Sequence, residues 1–262
     1  MIEAFTTYGI RTGLVREGDD LVLILVESIG HSGAGEFRDG DVLVIAETAL
    51  ATAEGHVIRL DTITPGPESI EMGAIYGMDP RLVEVVRRES NSIVGGIRGF
   101  LLCMKNGTLL PNAGIDASNA PPGCVIPLPP RPDESARRVR ERIHSMCGVN
   151  VAVIIADSRT HAMRMGCGGV AIGCSGIPSV VDDRGRCDLF GRTLEVTKQA
   201  LADNIASAAE IVMGEADEAT PAAVLRGLGF PIGNYEGVEP IAADECLFMG
   251  LIAGKKGGKG KY

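Results

Sequence analysis

Asp116, Asp157 and Glu215 stand at the expected ends of regular elements, where rigid backbone can hold carboxylates steady while their side chains meet in a cleft. Mg2+ and Mn2+ prefer oxygen ligands and are commonly held by one or two carboxylates together with phosphate oxygens, so separated acids of this kind suit a cation and nucleotide site. Ser158 directly follows Asp157 and can add a hydroxyl oxygen. Asn119, three residues beyond Asp116, can hydrogen-bond a base or sugar edge. Taken singly, an Asp at a strand end is more often a turn former or helix cap, and Gly214-Glu215 also reads as an ordinary helix C-terminus. An acid there nevertheless opposes the helix dipole and invites a compensating cation. Arg159 and Arg164, which flank His161, are candidates for bidentate contact with phosphate or carboxylate, against a plain reading of all three as loop residues.

Other chemistries find no support. There is no GxxxxGK[ST] loop, no GxGxxG, no GxSxG elbow and no HExxH pattern among the four histidines. The seven cysteines, Cys103, Cys124, Cys147, Cys167, Cys174, Cys187 and Cys246, are odd in number and never spaced as CxxC. They indicate neither a disulfide framework nor a zinc knuckle, and most are expected to be small buried apolar residues. A net charge of -9 argues against nucleic acid as the main partner, since phosphate neutralisation needs clustered Lys and Arg. No apolar run approaches the roughly 20 residues that cross a bilayer, and the first residues lack the order of a signal peptide, so a cytoplasmic protein without membrane contact is expected.

The elements that must position these residues follow from periodicity. Residues 1–64 read as strand, helix, strand, with Asp19 or Asp20 as N-cap before LVLILVESI and a buried strand through DVLVIA. Pro65, Pro67 and Pro80 mark two helical pieces over 65–92, and a short strand from Phe100 leads to the turn Lys105-Asn106-Gly107. The prolines Pro127, Pro129, Pro130 and Pro132 precede a helix capped near Asp133 and make 127–133 the best boundary between two intimate lobes. A buried strand over 151–156 ends at Asp157-Ser158, glycine-rich strands and turns fill 166–176, a long helix is expected from Thr193 to Met213, and PAAVLRG returns as a strand. The lysine-rich stretch 255–262 reads as a basic disordered tail, leaving 1–254 as the folded, functional region. The fold class is therefore α+β, with mixed sheets and packed helices.

Four ordered motifs carry a resemblance: NAGIDASN (112–119), Asp157-Ser158 followed by RMGCGGVAIGCSG (164–176), DLFGRTLEVT (188–197) and MGEADEATPAAVLRG (213–227). Over about residues 14–229 the chain resembles the coenzyme F-420:L-glutamate ligase family. The resemblance implies an intertwined α+β homodimer. It also implies a reaction in which GTP phosphorylates the carboxylate of a deazaflavin precursor and L-glutamate attacks the acyl phosphate. Two divalent cations, Mg2+ or Mn2+, and a monovalent cation, K+, would assist. Carried over by motif, Asp116 and Asp157 would hold the first metal and act in catalysis, Ser158 and Glu215 would hold the second, and Asn119 would contact GTP. Thr12, Gly13, Leu14, Val15, Glu47, Thr48 and Thr52, with Met213, Gly214, Glu215 and Thr220, would complete the nucleotide pocket.

Two departures from the family pattern bear on this. Where the family has SKAEGR this chain has Ala51-Thr52-Ala53-Glu54-Gly55-His56, so a neutral hydroxyl replaces the expected ammonium. The D[ST]xGRPFRxG string reads Asp157-Ser158-Arg159-Thr160-His161-Ala162-Met163-Arg164-Met165-Gly166, without the glycine and arginine after the acid. Beside an active ligase of this family stand two other readings: a paralogue with another acceptor or nucleotide, and a non-catalytic nucleotide- or deazaflavin-binding protein.

Overall fold

The computed structural model describes residues 3–242 and 244–254, and the lysine-rich stretch 255–262 lies outside them. In chain order the elements are β1 (Thr6–Ile10), α1 (Leu21–Ser28), β2 (Val42–Ala46), α2 (Glu47–Ala53), β3 (Ile58–Arg59), α3 (Pro67–Tyr76), α4 (Pro80–Glu89), β4 (Ser92–Ile97), β5 (Phe100–Lys105) and β6 (Thr108–Pro111). They continue with β7 (Cys124–Val125), α5 (Pro132–Cys147), β8 (Ala152–Thr160), β9 (Cys167–Ser175), β10 (Val181–Asp182), β11 (Lys198–Gln199), α6 (Leu201–Met213), β12 (Ala222–Arg226) and α7 (Leu247–Gly254). Several sheets and seven α-helices among the described residues make the chain α+β, as the pattern predicts. No described helix is long and apolar enough to cross a membrane.

The described residues divide into two compact units, one within 3–59 and 116–238, the other within 60–115 and 239–254. The proline-bearing stretch 127–133, expected as a lobe boundary, runs inside the first unit. Its stiffness there leads the chain from β7 into α5.

In the first unit a five-stranded sheet runs in the order β1-β12-β2-β8-β9, antiparallel except for the parallel β2 and β8 pair. The run VLVIA of β2 is buried on both faces because alternate side chains enter opposite cores. Leu43, Ile45, Val153, Ile155 and Val224 pack with Leu21, Leu25, Val139 and Ile143 of α1 and α5. Val44, Ile154, Ala223 and Leu225 pack with Leu201, Ile205, Ala206 and Ala209 of α6. Asp20 caps α1, its Oδ1 accepting the Leu23 N–H at 3.1 Å. Asp133 does not cap α5: it sits in the first turn after Pro132, and its Oδ1 accepts the Cys174 N–H of β9 at 3.0 Å.

Strand β9 is pressed between helices, and a bulge decides how. Ile155 pairs with Gly173 and Ala156 with Ala171, so Ile172 is the extra residue. A Cβ on Gly169 would come 2.5 Å from the Ala206 carbonyl carbon of α6, and one on Gly173 would come 2.5 Å from the Pro132 carbonyl group at the start of α5. Backbone cannot yield as a flexible side chain does, so Gly173→Val is expected to destabilise by about 1–3 kcal/mol. Thermal denaturation reads this as a fall of several degrees, and an unchanged melting temperature would mean that α5 does not rest on β9.

The helix expected from Thr193 starts only at Leu201. Ahead of it the chain folds back on itself. β10 pairs with β11, Cys187 bridges Thr193, and the Asp188 carboxylate accepts the N–H groups of Phe190 (2.8 Å) and Arg192 (2.9 Å) around Gly191. Such local side-chain bonds compete with helix formation.

The second unit joins α3 and α4 to the meander β4-β5-β6, with Val83, Val86, Leu101 and Cys103 in its core. Asn106 and Gly107 both adopt positive φ, 49° and 77°, as a two-residue hairpin turn demands. The cysteines depart from expectation: only Cys103 and Cys174 are buried, Cys124 and Cys246 are half-buried, and Cys147, Cys167 and Cys187 are exposed.

Candidate active site

At one end of the five-stranded sheet the chain leaves β1, β2 and β8 and enters β12, and the connecting segments enclose a cavity of about 390 Å3. Gly13, Leu14 and Val15 follow β1. Glu47, Thr48 and Thr52 come from α2, which begins where β2 ends. Asp116 and Asn119 come from the segment before β7, Ser158 from β8, and Met213, Gly214, Glu215 and Thr220 from the turn between α6 and β12. Thirteen positions singled out from sequence therefore meet one space, counting these residues. Two do not line it. Thr12 lies beside it, its N–H bonded to the Ala219 carbonyl at 2.8 Å. Asp157 is drawn to Arg159, whose Nε donates to its Oδ2 at 2.7 Å.

Local backbone explains the shape of this end. Gly214 has φ 75° and ψ 179°, and a Cβ there would run into the Glu218 carboxylate, which itself accepts the Ala216 N–H at 2.8 Å. Asn119 and Ala219 also hold positive φ, 53° and 52°. Asn accepts that region readily, whereas Ala is strained in it by about 1–2 kcal/mol, the kind of strain that collects at ligand sites.

Electrostatics set the character of the cavity. The Glu47 carboxyl is only 9% exposed and is pushed up to about 8, first by burial and then by the charge of Asp157, with Asp116 adding to it. The Thr48 hydroxyl, donating to Oε1 at 2.5 Å, opposes the rise. Glu210, one turn before the end of α6, is pushed up to about 7 by burial and by Glu215 and Asp157. Asp157 is raised by burial, against the pull of Arg159. Asp116 accepts the Ser118 N–H at 2.8 Å and hydroxyl at 2.6 Å. The acids thus feel one another across a shared space. Among the described residues no three His, Cys, Asp or Glu are already gathered as a closed metal cage.

Glu210, Ser118 and Glu218 line the cavity and were not singled out from sequence. Glu210 had a readable signal, an acid in the last turn of a helix, where the dipole disfavours it. His161 and Arg164 are exposed and are not among the lining residues.

A pH dependence follows. In the unfolded chain a Glu loses its proton near 4.5, whereas folded Glu47 keeps it up to about 8 and Glu210 up to about 7. Between these values the unfolded state binds fewer protons, so stability of the ligand-free protein falls as pH rises from about 4.5 to about 8 and then levels. Thermal denaturation across this range should show the decline, and Glu47→Gln should remove much of it. A flat profile would mean that the Glu47 carboxyl is not buried beside other acids.

The architecture and site define an α+β protein with a half-open, carboxylate-rich cavity of small-molecule size in its larger unit. Residues 9–227 match the family described as F420-0:Gamma-glutamyl ligase. The coenzyme F420:L-glutamate ligase of Methanopyrus kandleri is 48% identical over 224 residues, 85% of this chain and 86% of its own length. The proteins of the same name from Methanothermobacter thermautotrophicus and Methanocaldococcus jannaschii are 40% and 44% identical, covering 87% and 79% of this chain and 91% and 84% of theirs. The chain belongs to the F420-0:gamma-glutamyl ligase family and is an enzyme of the amide-bond-forming ligase class.

Proposed function

We propose that this ligase joins L-glutamate to a coenzyme F420 precursor at the expense of GTP, through an acyl phosphate and with divalent cations in the acid-rich cavity. The observation that carries the reading is the surplus of carboxylate facing one space: Glu47, Asp116, Glu210 and Glu215 line it, and among the described residues no Lys or Arg does. Uncompensated acids gathered on one space are the environment that a hard cation and a phosphate chain together relieve.

Asp116 and Asp157 would hold one divalent cation, Ser158 and Glu215 a second, with K+ as an auxiliary ion. Mg2+ needs only one or two carboxylates beside phosphate oxygens and water, so a preformed three-acid cage is not required. When bound, such cations supply positive charge to the oxygens of the transferring phosphoryl group. Gly13, Leu14 and Val15 offer backbone and an apolar wall to the nucleotide, Asn119 offers an amide, and Met213, Gly214 and Thr220 close the opposite side. Thr52, 7% exposed, takes the place of an expected ammonium in this wall.

In the reaction proposed, a carboxylate oxygen of the acceptor attacks the γ-phosphorus and GDP departs. The amine of L-glutamate then attacks the acyl carbon, phosphate leaves, and the amine gives up a proton to solvent. Orientation within the cavity and exclusion of water keep the acyl phosphate from hydrolysis. Exposed Leu189 and Phe190, 100% and 90% accessible, support a homodimer in which a second copy covers the ribbon before α6.

The test is incubation with GTP, Mn2+, L-glutamate and the deazaflavin precursor, with mass spectrometry for an added glutamyl unit and ATP in parallel to settle the nucleotide. Product with neither nucleotide would sink the phosphorylation step, and absence of product with both would sink the assignment of acceptor.

A further inference from the structure

Among the described residues Arg159 is the one cation whose charge acts on these acids, and its placement is unusual. It follows Asp157 by two positions on β8, so both side chains leave the same face of the strand. Both are nearly sequestered, 13% and 12% exposed, yet they are joined by one hydrogen bond, Nε to Oδ2 at 2.7 Å, rather than by a two-pronged fork. Neither terminal nitrogen of Arg159 has an acceptor among the described residues. A second carboxylate feels the charge of this guanidinium. Asp203, in the first turn of α6, gives Oδ1 to the Ala171 N–H at 2.9 Å and leaves its other oxygen without a hydrogen-bond donor among the described residues. Burial pushes the Asp203 carboxyl up, and the Ala171 N–H and the charge of Arg159 oppose the rise.

We propose that Arg159 is a built-in counter-cation that latches Asp157 away from the cavity, and that a divalent cation engages Asp157 only as the guanidinium moves across to Asp203. The proposal rests on the cation reading of the cavity. It accounts for two observations together: Asp157 is the one acid of the motif set that does not line the cavity, and it is the one paired to a cation. With Arg159 seated on it, Asp157 spares the empty cavity one negative charge. With Arg159 seated on Asp203, no buried charge is left alone, because each acid then has a partner. The latch therefore sets the affinity for the cation without contributing a ligand to it.

The test is Mn2+ binding to the nucleotide-free protein by calorimetry, in wild type, Arg159→Gln, Asp203→Asn and the double variant. An opposite charge at this distance favours the ionised carboxylate by about 1–3 pKa units, so removing the competing guanidinium should tighten Mn2+ binding about tenfold or more. Asp203→Asn should weaken binding in the wild-type background, where it removes the second seat, and should have little effect once Arg159 is gone. Equal weakening in both backgrounds would overturn the latch in favour of simple through-space attraction of the cation by Asp203. A readout that needs no variant is the Arg159 Nε–H in nuclear magnetic resonance. Mg2+ should change its shift and its exchange with solvent, and an unaltered signal at saturating Mg2+ would also overturn the latch. If neither wild type nor Arg159→Gln binds Mn2+, the cation reading of the cavity falls. If wild type binds and Arg159→Gln binds no more tightly, the latch alone falls.

Discussion

Asp116→Asn is expected to lose ligase turnover by about a hundred- to ten-thousandfold while the protein stays folded, the loss of several kcal/mol of charge stabilisation in the proposed phosphoryl-transfer step. The asparagine keeps the shape and still accepts the Ser118 N–H and hydroxyl, so the turn that carries it survives. It also removes one of the negative charges that raise Glu47 and Asp157, which favours the folded state of the ligand-free protein. Activity and stability should therefore move in opposite directions. Phosphate release in the complete reaction measures the first and thermal denaturation the second. Turnover within a fewfold of wild type would remove Asp116 from the reacting centre, and a collapse of the melting temperature would recast it as a structural turn residue.

The cavity was legible in the sequence wherever a motif residue sits on backbone that has no freedom. Strand β2 is apolar without interruption, so Glu47 and Thr48 could only follow at its end, and Asp20 before LVLILVES announced the start of α1. The hairpin at Asn106-Gly107 was equally readable, because positive φ at both positions leaves few alternatives. What escaped depends on partners distant in sequence or on competing local bonds. Asp133 looked like a cap, yet the Cys174 N–H of β9 claims its carboxylate. The stretch after Asp188 has helix-compatible residues, but one carboxylate bonding two N–H groups turns the chain instead. Glu210 carries one signal in the sequence, an acid in the last turn of a helix, but its burial and its neighbour Glu215 show only in the fold. Arg159 was weighed from sequence as a cation near the site. The structure shows what sequence could not, that it holds Asp157 itself.

The second large effect concerns stability, at the end of the sheet where β12 meets the segment before β2. Asp41 is 1% exposed, and Arg226 grips it with two parallel bonds, Nε to Oδ1 and Nη2 to Oδ2, both 2.8 Å. The same guanidinium donates to the carbonyls of Ala34 at 3.0 Å and Glu36 at 2.7 Å and lies 5.6 Å from the centre of the Tyr8 ring. Arg226→Met fills similar space but leaves a buried carboxylate with the Arg38 N–H as its remaining donor, at 2.9 Å, and strips both carbonyls of theirs. Breaking such a pair from one side is expected to destabilise by about 3–5 kcal/mol, enough to lower the melting temperature by roughly 10 °C. Arg226→Lys should fall between, since an ammonium keeps the charge and loses the fork. Replacing Asp41 as well, in Asp41→Asn with Arg226→Met, should return part of the loss, because the desolvated charge is then gone from both sides. If the double variant is no more stable than Arg226→Met, the penalty lies in the stripped carbonyls of Ala34 and Glu36, and the ion pair is not what holds β12 to the segment before β2.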